Sequence, residues 1–174
     1  MIGPDAVAQC RWLEPGGTEA AQAICAFLQA IGIEVRIAPI AERTFVPGMD
    51  VHQGYLRIDP AVAAYPGDLL HEAGHIAVIE QPRRAAVSDV GTDPAEEMAA
   101  IAWSVAAARA CGVPLPVLFH PAGYCGGSQA MIDAFEGTGS VGTPLLAWWG
   151  MTVAPNPGSG PVPGAFPAMS RWLR

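Results

Sequence analysis

The chain has 174 residues, 51% of them hydrophobic, and a formal net charge of −7. This length suits one domain with a substantial core. The acidic balance argues against nucleic acid as a partner, because phosphate binding needs a basic surface. Gly and Pro interrupt the long uncharged stretches, so no membrane span is expected. The first residues have no basic region followed by an apolar one, so no signal peptide is expected and the cytoplasm is the default location.

The first half of the chain is predicted to contain one helix and two strands before its main motif. An amphipathic pattern predicts a helix over residues 18–31. Alternating apolar residues predict strands over 33–38 and 54–59. Residues 45–53 are rich in turn formers and are predicted to be a connector. His52, within that connector, is expected to be a solvated surface histidine.

The next predicted element is a helix that begins at Pro66, because Pro in the first turn followed by an acidic residue is typical of a helix start. An apolar face continues along it until Pro82 stops the run. The helix contains the H-E-x-x-H motif at residues 71–75. A chance match to three specified positions is uncommon, so this motif dominates the functional interpretation.

Histidines four positions apart on a helix project from one face. His71 and His75 can therefore bind one Zn²⁺, at about 2.0–2.1 Å per nitrogen. Glu72 can reach a metal-bound water and act as general base. The motif thus predicts both a zinc site and a catalytic carboxylate.

Catalytic zinc usually takes three protein ligands and a water. A second strong helix is predicted to start at Pro94, with Asp93 as its N-cap, and to run to Ala110. Glu96 and Glu97 lie in its first turn. One of them is the expected third ligand, and the other only favours the positive end of the helix.

The residues that follow Glu97 extend the metal motif. Ala100 lies three positions on, Trp103 six, and a serine seven. With the H-E-x-x-H motif, this resembles the glutamate helix of gluzincin metallopeptidases, particularly the ImmA/IrrE-like and prenyl-protease-like groups. The resemblance covers roughly residues 54–110 and implies that Glu97 is the third ligand. It also implies a compact zincin-like α+β domain, with a small sheet packed on the motif helix and the glutamate helix.

One position departs from the family pattern. Ile101 stands where relatives often carry an Asp or Asn that braces a ligand histidine. Metal-binding histidines normally donate their second N–H to such an acceptor. Here the brace is expected from Glu96, Asp68, Asp89 or a backbone carbonyl.

Residues 117–127 bring His120 and Tyr124 together in a Gly-rich turn. A Tyr or His outside the zinc motif often donates to the oxyanion in metallopeptidases, so these two are possible transition-state stabilisers. A purely structural loop is the alternative. Short helices are predicted over 129–135 and 144–149.

The four cysteines form no C-x-x-C pair and match no zinc-finger spacing. They are expected to be free thiols that behave as small hydrophobes. A metal ligand role for Cys10 or Cys125 is a minor alternative.

The metalloprotease domain is assigned to residues 1–150, followed by a Pro/Gly-rich extension over 151–174. Apolar residues near the end of the extension are expected to dock on this domain or on a second copy of the chain, which would give a homo-oligomer. These residues are Phe166, Met169, Trp172 and Leu173.

The function expected from these features is zinc-dependent hydrolysis of a peptide or protein substrate. One alternative is a non-catalytic regulatory or partner-binding module that retains the fold and the metal. Another is a hydrolase that acts on a small amide.

Overall fold

The computed structural model describes residues 2–88, 93–136, 141–154 and 162–174. These residues form eight α-helices and one three-stranded sheet, so the predicted α+β class is confirmed. No helix in the described ranges is long and apolar enough to cross a membrane.

The helices and strands follow one another with short connections. The helices are α1 (Pro4–Ala8), α2 (Gly17–Ala30), α3 (Pro66–Val78), α4 (Gln81–Arg84), α5 (Pro94–Ala110), α6 (Leu115–Leu118), α7 (Ser128–Glu136) and α8 (Thr143–Trp148). The strands are β1 (Val35–Ile37), β2 (Met49–His52) and β3 (Tyr55–Ile58). The predictions for α2, α7, α8, β1 and β3 are confirmed to within two residues at each end.

The sheet has the order β1-β3-β2, with β1 parallel and β2 antiparallel to β3. The prediction of a connector over 45–53 is wrong, because its second half is strand β2. Gln53 and Gly54 make the two-residue turn of a β2–β3 hairpin, and both have positive φ. Such turns usually carry Asn-Gly or Asp-Gly, and Gln-Gly does not give that signal.

The position of His52 also differs from the expectation. It is the last residue of β2, paired with Tyr55 across the hairpin. Its ring is partly buried and meets the Tyr55 ring edge-on, with centroids 5.4 Å apart. The prediction of a solvated surface histidine is therefore wrong.

Helices α3 and α5 cross closely at the centre of the domain. Eleven of the 13 residues of α3 are buried, and α5 is buried from Ala99 to Ala108. A β-carbon on Gly74 would lie 2.7 Å from the carbonyl oxygen of Ala100 in α5, so only glycine permits this approach. The crossing therefore lies within the H-E-x-x-H motif.

The described part of the C-terminal extension packs on the domain. Trp172 meets the ring of Phe27 edge-on at 4.9 Å, and its carbonyl oxygen accepts a 2.9 Å hydrogen bond from the indole of Trp103. The expected docking on this domain is observed for Trp172. Residues 155–161, which the sequence marked as Pro/Gly-rich, lie outside the described residues.

Two arginines cap the C-terminal end of α3. The Arg84 guanidinium donates to the carbonyl oxygens of Ile76, Ile79 and Arg174. The backbone N–H of Arg174 donates to Ala77 at 2.9 Å. These donors satisfy carbonyls that a helix end leaves without intrahelical partners.

Candidate metal centre

Three side chains from α3 and α5 converge where the two helices cross. The Nε2 atoms of His71 and His75 lie 3.2 Å apart. The Glu97 carboxylate brings Oε1 to 3.6 Å from the first nitrogen and Oε2 to 3.4 Å from the second. Zinc bonds of about 2.0–2.1 Å in a tetrahedron separate neighbouring ligand atoms by roughly 3.3 Å. The three side chains therefore have the spacing that one zinc ion requires.

The protonation of the histidines also fits a metal. Burial lowers the pKa of His71, although the Glu97 and Asp68 charges oppose that shift. Burial lowers the pKa of His75 to about 3, and His71 adds to this effect. Both imidazoles are thus neutral at pH 7, which is the form that binds metals. Two imidazoles and one glutamate are a known ligand set of catalytic zinc.

The two glutamates at the start of α5 have different surroundings. The Glu97 carboxylate faces both motif histidines. The Glu96 carboxylate instead accepts a 3.3 Å hydrogen bond from Arg83. Asp93 caps the helix by accepting from the N–H of Ala95 at 2.8 Å, as predicted. This capping bond fixes the start of α5. The distances from the two histidines favour Glu97 over Glu96 as the third ligand.

The metal centre opens into a cleft of about 720 Å³. Glu72, only 4% exposed, lines this cleft together with the three possible ligands. The rest of the lining is residues 42–46, strand β2, Arg57 and Ser88, which we call the opposite wall. A substrate in the cleft would therefore meet Glu72 and the metal centre together.

The wall opposite the candidate metal centre contains one exposed apolar side chain and one ion pair. Phe45 is 100% exposed and lies on the lip of the cleft. Asp50 and Arg57, on β2 and β3, form a two-point ion pair with distances of 2.9 and 2.5 Å. His52 also lines this wall. Sequence reasoning did not place His52 on the same cleft as the motif, because it missed the strand that carries this residue.

Tyr124 lies against His71, one of the three candidate ligands. Its hydroxyl is 3.4 Å from Nδ1 of His71, and the two rings meet edge-on with centroids 5.8 Å apart. Burial raises the pKa of the Tyr124 phenol, and the charges of Asp68, Glu97 and Glu72 add to this shift. The phenol therefore stays protonated over the physiological range.

His120 lies one layer further from the metal centre. Its Nε2 is 2.9 Å from Oδ1 of Asp68, and its ring stacks on Tyr65 with centroids 3.8 Å apart. Its Nδ1 is buried and has no hydrogen-bond partner among the described residues. Neither His120 nor Tyr124 is among the residues that line the cleft. Their transition-state role therefore stays a prediction, and the structure gives both of them other partners.

The structure also bears on the missing brace for a ligand histidine. Asp68 is hydrogen-bonded to His120, and Glu96 is paired with Arg83. Asp89, a third expected brace, lies outside the described residues. The polar atom that faces Nδ1 of His71 is the Tyr124 hydroxyl. Sequence reasoning missed this contact because the two residues are 53 positions apart and no local pattern links them.

The cysteines are not part of the metal cluster. All four are free, with Cys10 and Cys25 buried and Cys125 exposed. Burial raises the pKa of the Cys25 thiol to about 12, so this thiol stays protonated. In the described part of the chain, the one group of three metal-ligand side chains is His71, His75 and Glu97.

Known proteins give no further guide to this site. The chain matches no protein-family model, no curated protein and no solved structure. The gluzincin resemblance therefore rests on the sequence alone, on the H-E-x-x-H motif and Glu97.

Proposed function

We propose that this protein is a zinc-dependent, gluzincin-like metallopeptidase that hydrolyses a peptide or protein substrate. The observation that carries the proposal is the near-tetrahedral spacing of His71, His75 and Glu97. Glu72 lies beside them on the same cleft, where catalysis would need a general base. The zincin-like fold is part of the proposal, supported by the packing of α3 against α5, β2 and β3.

When bound at these three ligands, zinc lowers the pKa of a coordinated water to about 7 and polarises a carbonyl oxygen. The Glu72 carboxylate accepts a proton from the attacking water as its oxygen bonds to the carbonyl carbon. Glu72 then delivers that proton to the amide nitrogen as the C–N bond breaks. The burial of Glu72 separates this transfer from bulk water.

Two observations favour this function over a non-catalytic module. The cluster contains three ligand side chains among the described residues, whereas structural zinc sites have four. A structural site also has no need of a second carboxylate, Glu72, on the same cleft. The small-amide hydrolase remains the second option, because a cleft of about 720 Å³ can hold such a substrate.

The test compares zinc-loaded wild type with Glu72→Gln against a mixed peptide library, with cleavage read by mass spectrometry. We expect the variant to retain zinc and lose activity by about 10²–10⁴-fold, the usual contribution of general acid–base catalysis. Glu96→Gln is the matched control, because that carboxylate pairs with Arg83 outside the cluster. If zinc-loaded wild type cleaves no peptide, a panel of small amides decides between the hydrolase and the module.

A further inference from the structure

We propose that Tyr124 is a positioning residue that holds the His71 imidazole with Nε2 turned toward the metal. The inference rests on the metal site of the proposed function and does not depend on peptide cleavage. It gives Tyr124 a role different from donation to a substrate oxyanion, and the two roles predict different measurements.

The two nitrogens of His71 face different partners. Nε2 lies 3.2 Å from Nε2 of His75, on the side of the metal cluster. Nδ1 lies 3.4 Å from the Tyr124 hydroxyl, on the other side of the ring. A neutral imidazole that binds metal through Nε2 carries its proton on Nδ1. With zinc on Nε2, Nδ1 carries the proton and the Tyr124 oxygen accepts it, so the contact supports the metal-binding tautomer.

The position of the Tyr124 ring is set by its own packing. Phe119 meets it edge-on, with ring centroids 5.0 Å apart. Tyr124 and Cys125 both have left-handed backbone angles, with φ of 51° and 52°. Such angles are uncommon for residues other than glycine. The turn that presents the tyrosine to His71 is therefore a specific local conformation.

A second contact ties the same loop to the same helix face. Asp68 and His71 are three positions apart on α3 and so lie on one side of it. Asp68 Oδ1 accepts from Nε2 of His120, and the Ser128 hydroxyl donates to the His120 carbonyl oxygen at 2.7 Å. This arrangement holds the loop at α3 one turn before His71. The position of the loop is thereby fixed, and the Tyr124 hydroxyl is held beside His71.

The test measures zinc affinity by chelator competition in wild type and in Tyr124→Phe, which removes only the hydroxyl. We expect zinc to bind about 10–100-fold more weakly, the usual cost of losing such a supporting partner. The unfolding temperature of the zinc-free variant should stay close to that of wild type. Tyr55→Phe is the matched control, because Tyr55 packs against Arg36 and His52 and not against a ligand. Its zinc affinity should not change.

A second measurement uses the wild-type protein, so it does not depend on folding of the variant. Nitrogen-15 NMR of the zinc-loaded chain should show His71 bound through Nε2, with a slowly exchanging proton on Nδ1. Binding through Nδ1 would overturn the proposal. So would an unchanged zinc affinity in Tyr124→Phe. If turnover then fell while zinc affinity stayed the same, Tyr124 would act on the substrate instead.

Discussion

The two walls of the cleft are built in different ways. One wall consists of α3 and α5, which pack so closely at Gly74 that a β-carbon does not fit. His75 and Glu72 are each only 4% exposed there. The other wall consists of a four-residue edge strand and a loop whose tip, Phe45, is fully exposed. Rigid helices can hold a catalytic geometry, and loops can vary without disturbing it. We infer that chemistry and selectivity are divided between the walls.

The largest effect should come from removing both motif histidines. The double variant His71→Ala, His75→Ala loses two of three donors, so we expect no detectable zinc by elemental analysis of protein purified without added metal. Zinc-dependent stabilisation should disappear with it, because metal binding is coupled to folding. His52→Ala changes a histidine on the opposite wall and should keep its zinc. Full zinc occupancy in the double variant would show that zinc binds somewhere other than at His71 and His75.

The next effect separates the two glutamates at the start of α5. Glu97→Gln removes a charged ligand, and we expect zinc affinity to fall by more than about 10-fold. Glu96→Gln weakens only the ion pair with Arg83, whose guanidinium is exposed and whose carboxylate is mostly buried, and such a pair is worth about 1 kcal/mol. Chelator competition on both variants gives the ratio of their zinc affinities. Equal losses, or a larger loss for Glu96→Gln, would contradict the assignment.

Gly74→Ala tests the rigidity of the helix wall. The added methyl group would press on the Ala100 carbonyl, and we expect a loss of about 1–3 kcal/mol in the free energy of unfolding. Zinc affinity should fall as well, since the crossing lies between the two ligand histidines. Gly3→Ala is the control, because no atom lies within 4 Å of its added carbon. In an uncrowded helix, alanine would stabilise by roughly 0.5–1 kcal/mol, so a gain in stability would rule out the close crossing.

The smallest effect should come from the opposite wall of the cleft. If Phe45 contacts a substrate side chain, Phe45→Ala should raise KM by roughly fivefold, equivalent to about 1 kcal/mol of lost apolar contact. Zinc affinity and unfolding temperature should not change, because the ring is fully exposed. Trp148→Ala, at an 84% exposed residue of α8, is the control. An unchanged KM and an unchanged profile of cleaved peptides would show that Phe45 does not contact the substrate.

The helix wall could be predicted from sequence because its signals are local. A proline start defines α3, the Asp93 cap and Pro94 define α5, and the four-residue spacing brings His71 and His75 together. The other wall has no such signal. Strand β2 is four residues long, and its turn lacks the usual Asn-Gly pair. The side-chain contact between Tyr124 and His71 joins loop and helix across 53 positions. Contacts of this kind depend on the whole fold.

The arginine cap on α3 has a consequence for the order in which the protein matures. Arg84 donates to the carbonyl oxygen of Arg174 across 90 positions. The Arg174 side chain donates to the carbonyl oxygen of Val78 across 96 positions and to the Glu80 carboxylate across 94. During synthesis, His71, His75 and Glu97 leave the ribosome long before residue 174 is made. Pairings between distant segments form late, since closing long loops is entropically costly. The nascent chain thus exposes the three candidate metal ligands before Arg174 can complete the cap on α3.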